Sequence, residues 1–138
     1  MPDTEKNRRL NNDIIEKAPH YNTRSIEAIN FIRHMDFALG NAFKYVWRFG
    51  LKDVTDLEKG KRNYYIRDAL VHRPAFVGSD ITTHLTRVLS TVADEFSAAQ
   101  FEMLISLIWA ASGDYDMLIS RAKQLELFPA PVGEYVLR

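Results

Sequence analysis

The chain has 138 residues, of which 46% are hydrophobic and 26% charged, and it contains no cysteine. That length suits one domain able to bury about two-thirds of its unfolded surface. The composition excludes a disordered chain, a disulfide scaffold and a cysteine-based metal site. Formal charge sums to zero, but residues 41–73 hold eight basic and four acidic residues, whereas residues 74–138 hold four and eight. The middle third is therefore the natural seat for an anionic ligand. Packing of the basic middle against the acidic C-terminal part, or against a second subunit, would explain the same asymmetry.

In chain order, residues 1–19 read as a polar arm ending at Pro19, without the apolar core of a signal peptide. No apolar run reaches the roughly 18 residues of a membrane span, so a cytoplasmic location and no membrane partner are expected. Asn22 and Thr23 offer N-cap side chains, and Ile26, Ile29 and Ile32 follow helical spacing, which predicts a helix over 23–35. Asp36 caps a second helix running to Phe49, where Gly50 stops it. Asp53 or Thr55 starts a third, over 54–72. Pro74, Gly78 and Ser79 form a loop too short for a domain linker.

The second half begins with Asp80 capping an amphipathic helix through Ser90. Residues 94–112 read as one strongly apolar helix ended by Gly113, with Phe101, Ile105, Ile108 and Trp109 covering the side opposite its main apolar face. A last helix runs from Asp114 to about Leu125, and residues 126–138 form an extended tail. The expected fold is all-α, a compact bundle of about five to six helices. It divides into the arm, a helical segment over 20–73, and a C-terminal helical part over 74–138 of the same domain. Apolar surface on the 94–112 helix and the aromatic tail predicts a homo-oligomer.

Asn41, Lys44, Tyr45 and Arg48 fall at i, i+3, i+4 and i+7, so they share one helix face, while Phe43, Val46 and Trp47 form the core stripe. An ammonium, a guanidinium, a phenol and an amide together suit a phosphorylated ligand, although a solvated basic face has the same spacing. Lys52 could close over that site. Asp53 and Asp56 are one turn apart and suit either a divalent cation or the positive end of a helix dipole. Lys59, Lys61 and Arg62 could extend a phosphate site or be ordinary surface. His20-Tyr21-Asn22 precedes a helix start, a place for an anion or for simple capping. Glu27 reads as a general base, a salt-bridge partner for Lys44 or Arg48, or a capping acid. No G-x-x-x-x-G-K-[S/T] or G-x-G-x-x-G motif occurs, and the four histidines lack zinc-ligand spacing. The acidic C-terminal half opposes a nucleic-acid partner.

Read together, His20-Tyr21-Asn22, Ile26-Glu27, Gly40-Asn41-Ala42-Phe43-Lys44-Tyr45-Val46-Trp47-Arg48-Phe49-Gly50-Leu51-Lys52 and Asp56-Leu57-Glu58-Lys59 resemble a phage nucleotide-kinase-like domain family of largely unknown function. The resemblance covers about residues 20–66. It departs at Gly60, where the family usually has alanine, and at Tyr64-Tyr65, displaced by one residue. It implies deoxynucleotide handling in the cytoplasm of an infected host cell, with phosphate transferred to deoxynucleoside monophosphates. Lys44, Arg48 and Lys52 would then neutralise phosphates, and His20, Tyr21, Asn41 and Tyr45 would place base and sugar. Glu27 or Asp56 would orient the acceptor or a Mg2+ ion that arrives with the nucleotide. Two other functions stay open: a protein that sequesters a nucleotide or cyclic nucleotide without turnover, and a helical nucleotide pyrophosphohydrolase. For the last, the nearest acidic pairs are Asp13/Glu16 and Asp53/Asp56.

Overall fold

The structure, a computed structural model, describes residues 24–49 and 56–125. Its described residues contain six α-helices and no strand: α1 (Ile29–Ile32), α2 (Phe37–Trp47), α3 (Asp56–His72), α4 (Ser79–Ser90), α5 (Ala98–Ala110) and α6 (Asp116–Gln124). A single 3-10 turn, Ala93–Glu95, precedes α5. The all-α expectation holds. The polar arm, Gly50, Asp53, Thr55 and the tail lie outside the described residues.

Asp36 begins α2 as its sequence position predicts. Its carboxylate accepts the backbone N–H groups of Ala38 and Leu39 at 3.2 and 3.1 Å, satisfying two of the donors that a helix start leaves unpaired. The preceding helix is shorter than predicted, because only Ile29–Ile32 is regular before the chain turns through residues 33–35 into that cap. Gly40 lets the two helices approach. A Cβ placed there would sit 3.1 Å from Ile32 Cγ2.

The long apolar helix predicted over 94–112 is in fact broken. Phe96 takes an extended backbone, φ −125° and ψ 153°, and turns its ring onto Trp47 at 5.0 Å between centroids. Ser97 then caps a new helix by accepting the Gln100 N–H at 3.2 Å. At the far end Gly113, with φ +93°, closes α5. Its N–H bonds the Ala110 carbonyl, and the Asp114 N–H reaches back to Trp109. This paired pattern needs a left-handed residue, which glycine adopts without a Cβ clash. The cap of α4 also differs by two residues: Gly78 holds the N-cap and Asp80 lies in the first turn.

One core joins the two halves of the chain. Phe31, Phe43 and Trp47 stack with centroids 5.4–5.7 Å apart and are fully buried with Leu39, Ile66, Leu104, Leu107, Ile108 and Leu118. Burying each such side chain contributes about 1.5–3 kcal/mol. The 73–78 loop is tied to the same body. Phe76 and Val77 donate to the Ala111 carbonyl, and the buried Tyr115 hydroxyl donates to the Pro74 carbonyl. Burial pushes the Tyr115 phenol above its ordinary range, with Asp36 adding to the rise and Arg73 opposing it. Ile105, Phe101 and Trp109 are half-buried within the chain itself, so α5 is less exposed than its sequence suggests. Among the described residues, no helix is long and apolar enough to cross a membrane.

Candidate functional site: a basic face between α2 and α3

The helices α2 and α3 pack more extensively on each other than any other pair. Contacts run in opposite directions along them. Phe37 and Tyr45 meet Tyr65, Arg48 meets Glu58, and Phe49 meets Arg62. An antiparallel pair of this kind places basic residues from both helices on one strip. Those residues sit in a chain segment with twice as many basic as acidic side chains.

Lys44 lies 4.8 Å from the centre of the Tyr45 ring. Burial holds its ammonium below the ordinary lysine range, and the nearby charges of Arg48 and Lys61 lower it further. Crowded like charges raise the free energy of the unliganded site, which an incoming anion relieves. Arg48 is mostly buried, and its Nη2 atom pairs with Glu58 Oε1 at 3.1 Å. The acid that meets Arg48 is therefore Glu58, which no local motif marks. Glu27 is exposed and forms no ion pair with Lys44 or Arg48 among the described residues. Its backbone carbonyl accepts Asn30 Nδ2.

Tyr45 is only 9% exposed, and its ring stacks on Tyr65 at 6.2 Å between centroids with an 11° interplanar angle. It is a wall of the site and already has one ring partner. Asn41 donates through Nδ2 to the Phe37 carbonyl at 2.7 Å and borders a hollow of about 210 Å3 with Lys44, Asp36 and Met35. Lys44, Tyr45 and Arg48 thus come together as predicted, and Lys61 joins them from α3. Lys59 and Asp56 are exposed on α3, and Asp56 lies in its first described turn. His20, Tyr21 and Lys52 lie outside the described residues.

The carboxyl end of α2 is held by two long-range donors. Arg24 donates from Nη2 to the carbonyls of Trp47 and Phe49, at 3.1 and 3.0 Å, and from Nη1 to that of Glu95. Gln100 Nε2 donates to Val46 and Phe49 at 2.7 and 2.9 Å. The Arg24 guanidinium also lies 4.2 Å from the Phe96 ring centre. Burial lowers the Arg24 pKa while Glu95 opposes the shift. A cation at this end complements the helix dipole and fixes Arg48 and Phe49 where the two helices meet. Arg24 carries no motif, and its partners are 23 to 71 residues away, so no local signal announces it.

Against known families, residues 15–66 match one described as a protein of unknown function (DUF3310). The chain matches no curated protein and no solved structure. The matched segment, well under half of the chain, holds α1, α2, most of α3 and the residues of the basic face.

Proposed function

We propose that the α2–α3 face binds a deoxynucleotide by its phosphates, and that the protein transfers phosphate to deoxynucleoside monophosphates. The observation that carries this is the gathering of Lys44, Arg48 and Lys61 beside the Tyr45–Tyr65 stack. Phosphoryl transfer asks a protein mainly for positioning and for neutralisation of phosphate oxygens, and cations on a rigid helix pair supply both. Lys44 and Lys61 act as point charges, and Arg48 offers a planar fork. The sequence resemblance supplies the substrate class.

Magnesium belongs to this reading as a companion of the nucleotide. Among the described residues no three His, Cys, Asp or Glu side chains are grouped to hold a metal. Mg2+ that keeps its waters and binds phosphate oxygens needs only one or two carboxylates.

A second reading is sequestration of a nucleotide or cyclic nucleotide without turnover. It is favoured by the Arg48–Glu58 pair and the absence of Glu27 from the ion pairs of the face, which leave charge and shape but no placed base among the described residues. Incubation with deoxynucleoside monophosphates, a triphosphate donor and magnesium separates the readings. New diphosphate supports the kinase, a ligand recovered intact after denaturation supports sequestration, and released pyrophosphate supports a hydrolase. If no nucleotide is altered or bound, all three fall.

Self-association is part of the proposal. Phe101, Ile105 and Met117 border a hollow of about 320 Å3 on the side of α5 and α6, and Met117 is exposed. A light-scattering mass above that of one 15.9 kDa chain is expected, and a monomeric mass refutes it.

A further inference from the structure

A cavity of about 620 Å3 lies past the carboxyl end of α2, between that end, α3, α5 and α6. It is separate from the face carrying Lys44, Arg48 and Lys61, none of which lines it. Its volume falls within the roughly 300–1,000 Å3 of small-molecule sites. Val46, Met103 and Leu125 give it apolar walls, and Phe49 adds a ring.

Its charges are unequally committed. Arg24 is spent on backbone carbonyls, the Glu95 carboxylate accepts the Ser25 N–H, and Arg121 pairs with Glu102. Arg62 differs. Its Nε donates to Asn63 Oδ1 at 2.8 Å and its guanidinium carbon lies 5.1 Å from the Phe49 ring centre. Its terminal nitrogens have no hydrogen-bond partner, and it has no ion pair, among the described residues. Burial alone lowers its pKa, the mark of a cation taken from water without a counter-charge. Asn63 and the Phe49 ring fix the guanidinium on one side, and Arg62 is one of the residues that line the cavity.

We propose that this cavity binds a small organic anion with an apolar body, its anionic group gripped by the terminal nitrogens of Arg62 and its body seated against Phe49, Met103 and Leu125. A ligand of this class supplies the missing counter-charge and covers the apolar wall at once. This site stands apart from the nucleotide reading and survives its failure.

The test uses naphthalenesulfonate and its neutral counterpart naphthol, titrated into the full chain by calorimetry. The sulfonate should saturate at one per chain and bind about tenfold more tightly than naphthol, the margin of a charge-assisted contact. Arg62→Gln should remove that margin while leaving naphthol binding unchanged. Ala99→Trp, at an exposed position on the rim, should weaken both ligands. Equal binding of the two ligands, an unaltered sulfonate affinity in Arg62→Gln, unaltered binding in Ala99→Trp, or no saturable binding would each overturn the proposal. Should Arg62→Gln not fold, the wild-type preference for sulfonate and the Ala99→Trp result still decide it.

Discussion

Arg48 Nη2 and Glu58 Oε1 lie 3.1 Å apart, and this pair fastens α2 to α3 with side chains only 12% and 15% exposed. It is a structural contact and, on the proposed nucleotide reading, also a check on the site, because Glu58 would compete with a phosphate for the same guanidinium. Glu58→Gln keeps the shape and removes the charge. The variant should lose about 1–3 kcal/mol of stability, as for a hydrogen bond to a charged group. It should nevertheless bind a deoxynucleoside monophosphate several-fold more tightly. Weaker nucleotide binding in a folded Glu58→Gln would show that Glu58 serves the ligand directly.

The Phe49 carbonyl receives donors from both Arg24 and Gln100. Either one alone keeps it satisfied. Arg24→Ala should cost about 2 kcal/mol and Gln100→Ala about 1 kcal/mol. The double variant should cost more than the sum, since it leaves the carboxyl end of α2 without a donor. Urea denaturation of the four proteins measures this coupling.

Ser25 holds the Glu95 carboxylate below its ordinary range, first through its side chain and then through its backbone N–H; Arg24 also lowers it, while burial opposes the shift. The folded pKa is lower than the unfolded value of 4.5. The stabilisation is therefore present above that value and lost as pH falls through the folded pKa. Glu95→Gln should flatten the acid limb of the stability profile and change little of its shape near neutrality. An unchanged acid limb would mean that the Ser25 contact does not persist in solution.

Gly113 has φ +93°, and a Cβ there would also meet the Ala75 Cβ at 3.4 Å. Gly113→Ala should cost about 1–2 kcal/mol through backbone strain. Gly60 lies in α3 with nothing within 4 Å of an added Cβ. Gly60→Ala should stabilise the protein by up to about 1 kcal/mol, because alanine is the better helix former. Thermal melts of the two variants should move in opposite directions.

Much of this architecture is written in short-range pattern. The Asp36 cap, the core stripe of Phe43, Val46 and Trp47, and the stop at Gly113 are all local features. The clustering of Lys44, Tyr45 and Arg48 follows from helical spacing alone. The features that carry no local signal depend on distant partners. The break at Phe96 is invisible because a phenylalanine continues the apolar run, and only Trp47, 49 residues earlier, gives its ring a reason to turn. Glu58, Tyr65 and Lys61 gain their place at the face only once α3 folds back on α2. Arg24 and Gln100 act over 23 and more residues on carbonyls that no sequence pattern marks.

The proposed phosphate-binding face is formed by Lys44 and Lys61 with Arg48. Its most direct test is calorimetric titration of a deoxynucleoside monophosphate into the wild type and into the Lys44→Ala, Lys61→Ala double variant, at low and physiological salt. Both replaced side chains lie outside the buried core, so the fold should survive. We expect saturable binding that weakens with salt and falls at least about tenfold in the variant. Equal affinity in the two proteins, or no binding to the wild type, would contradict the account.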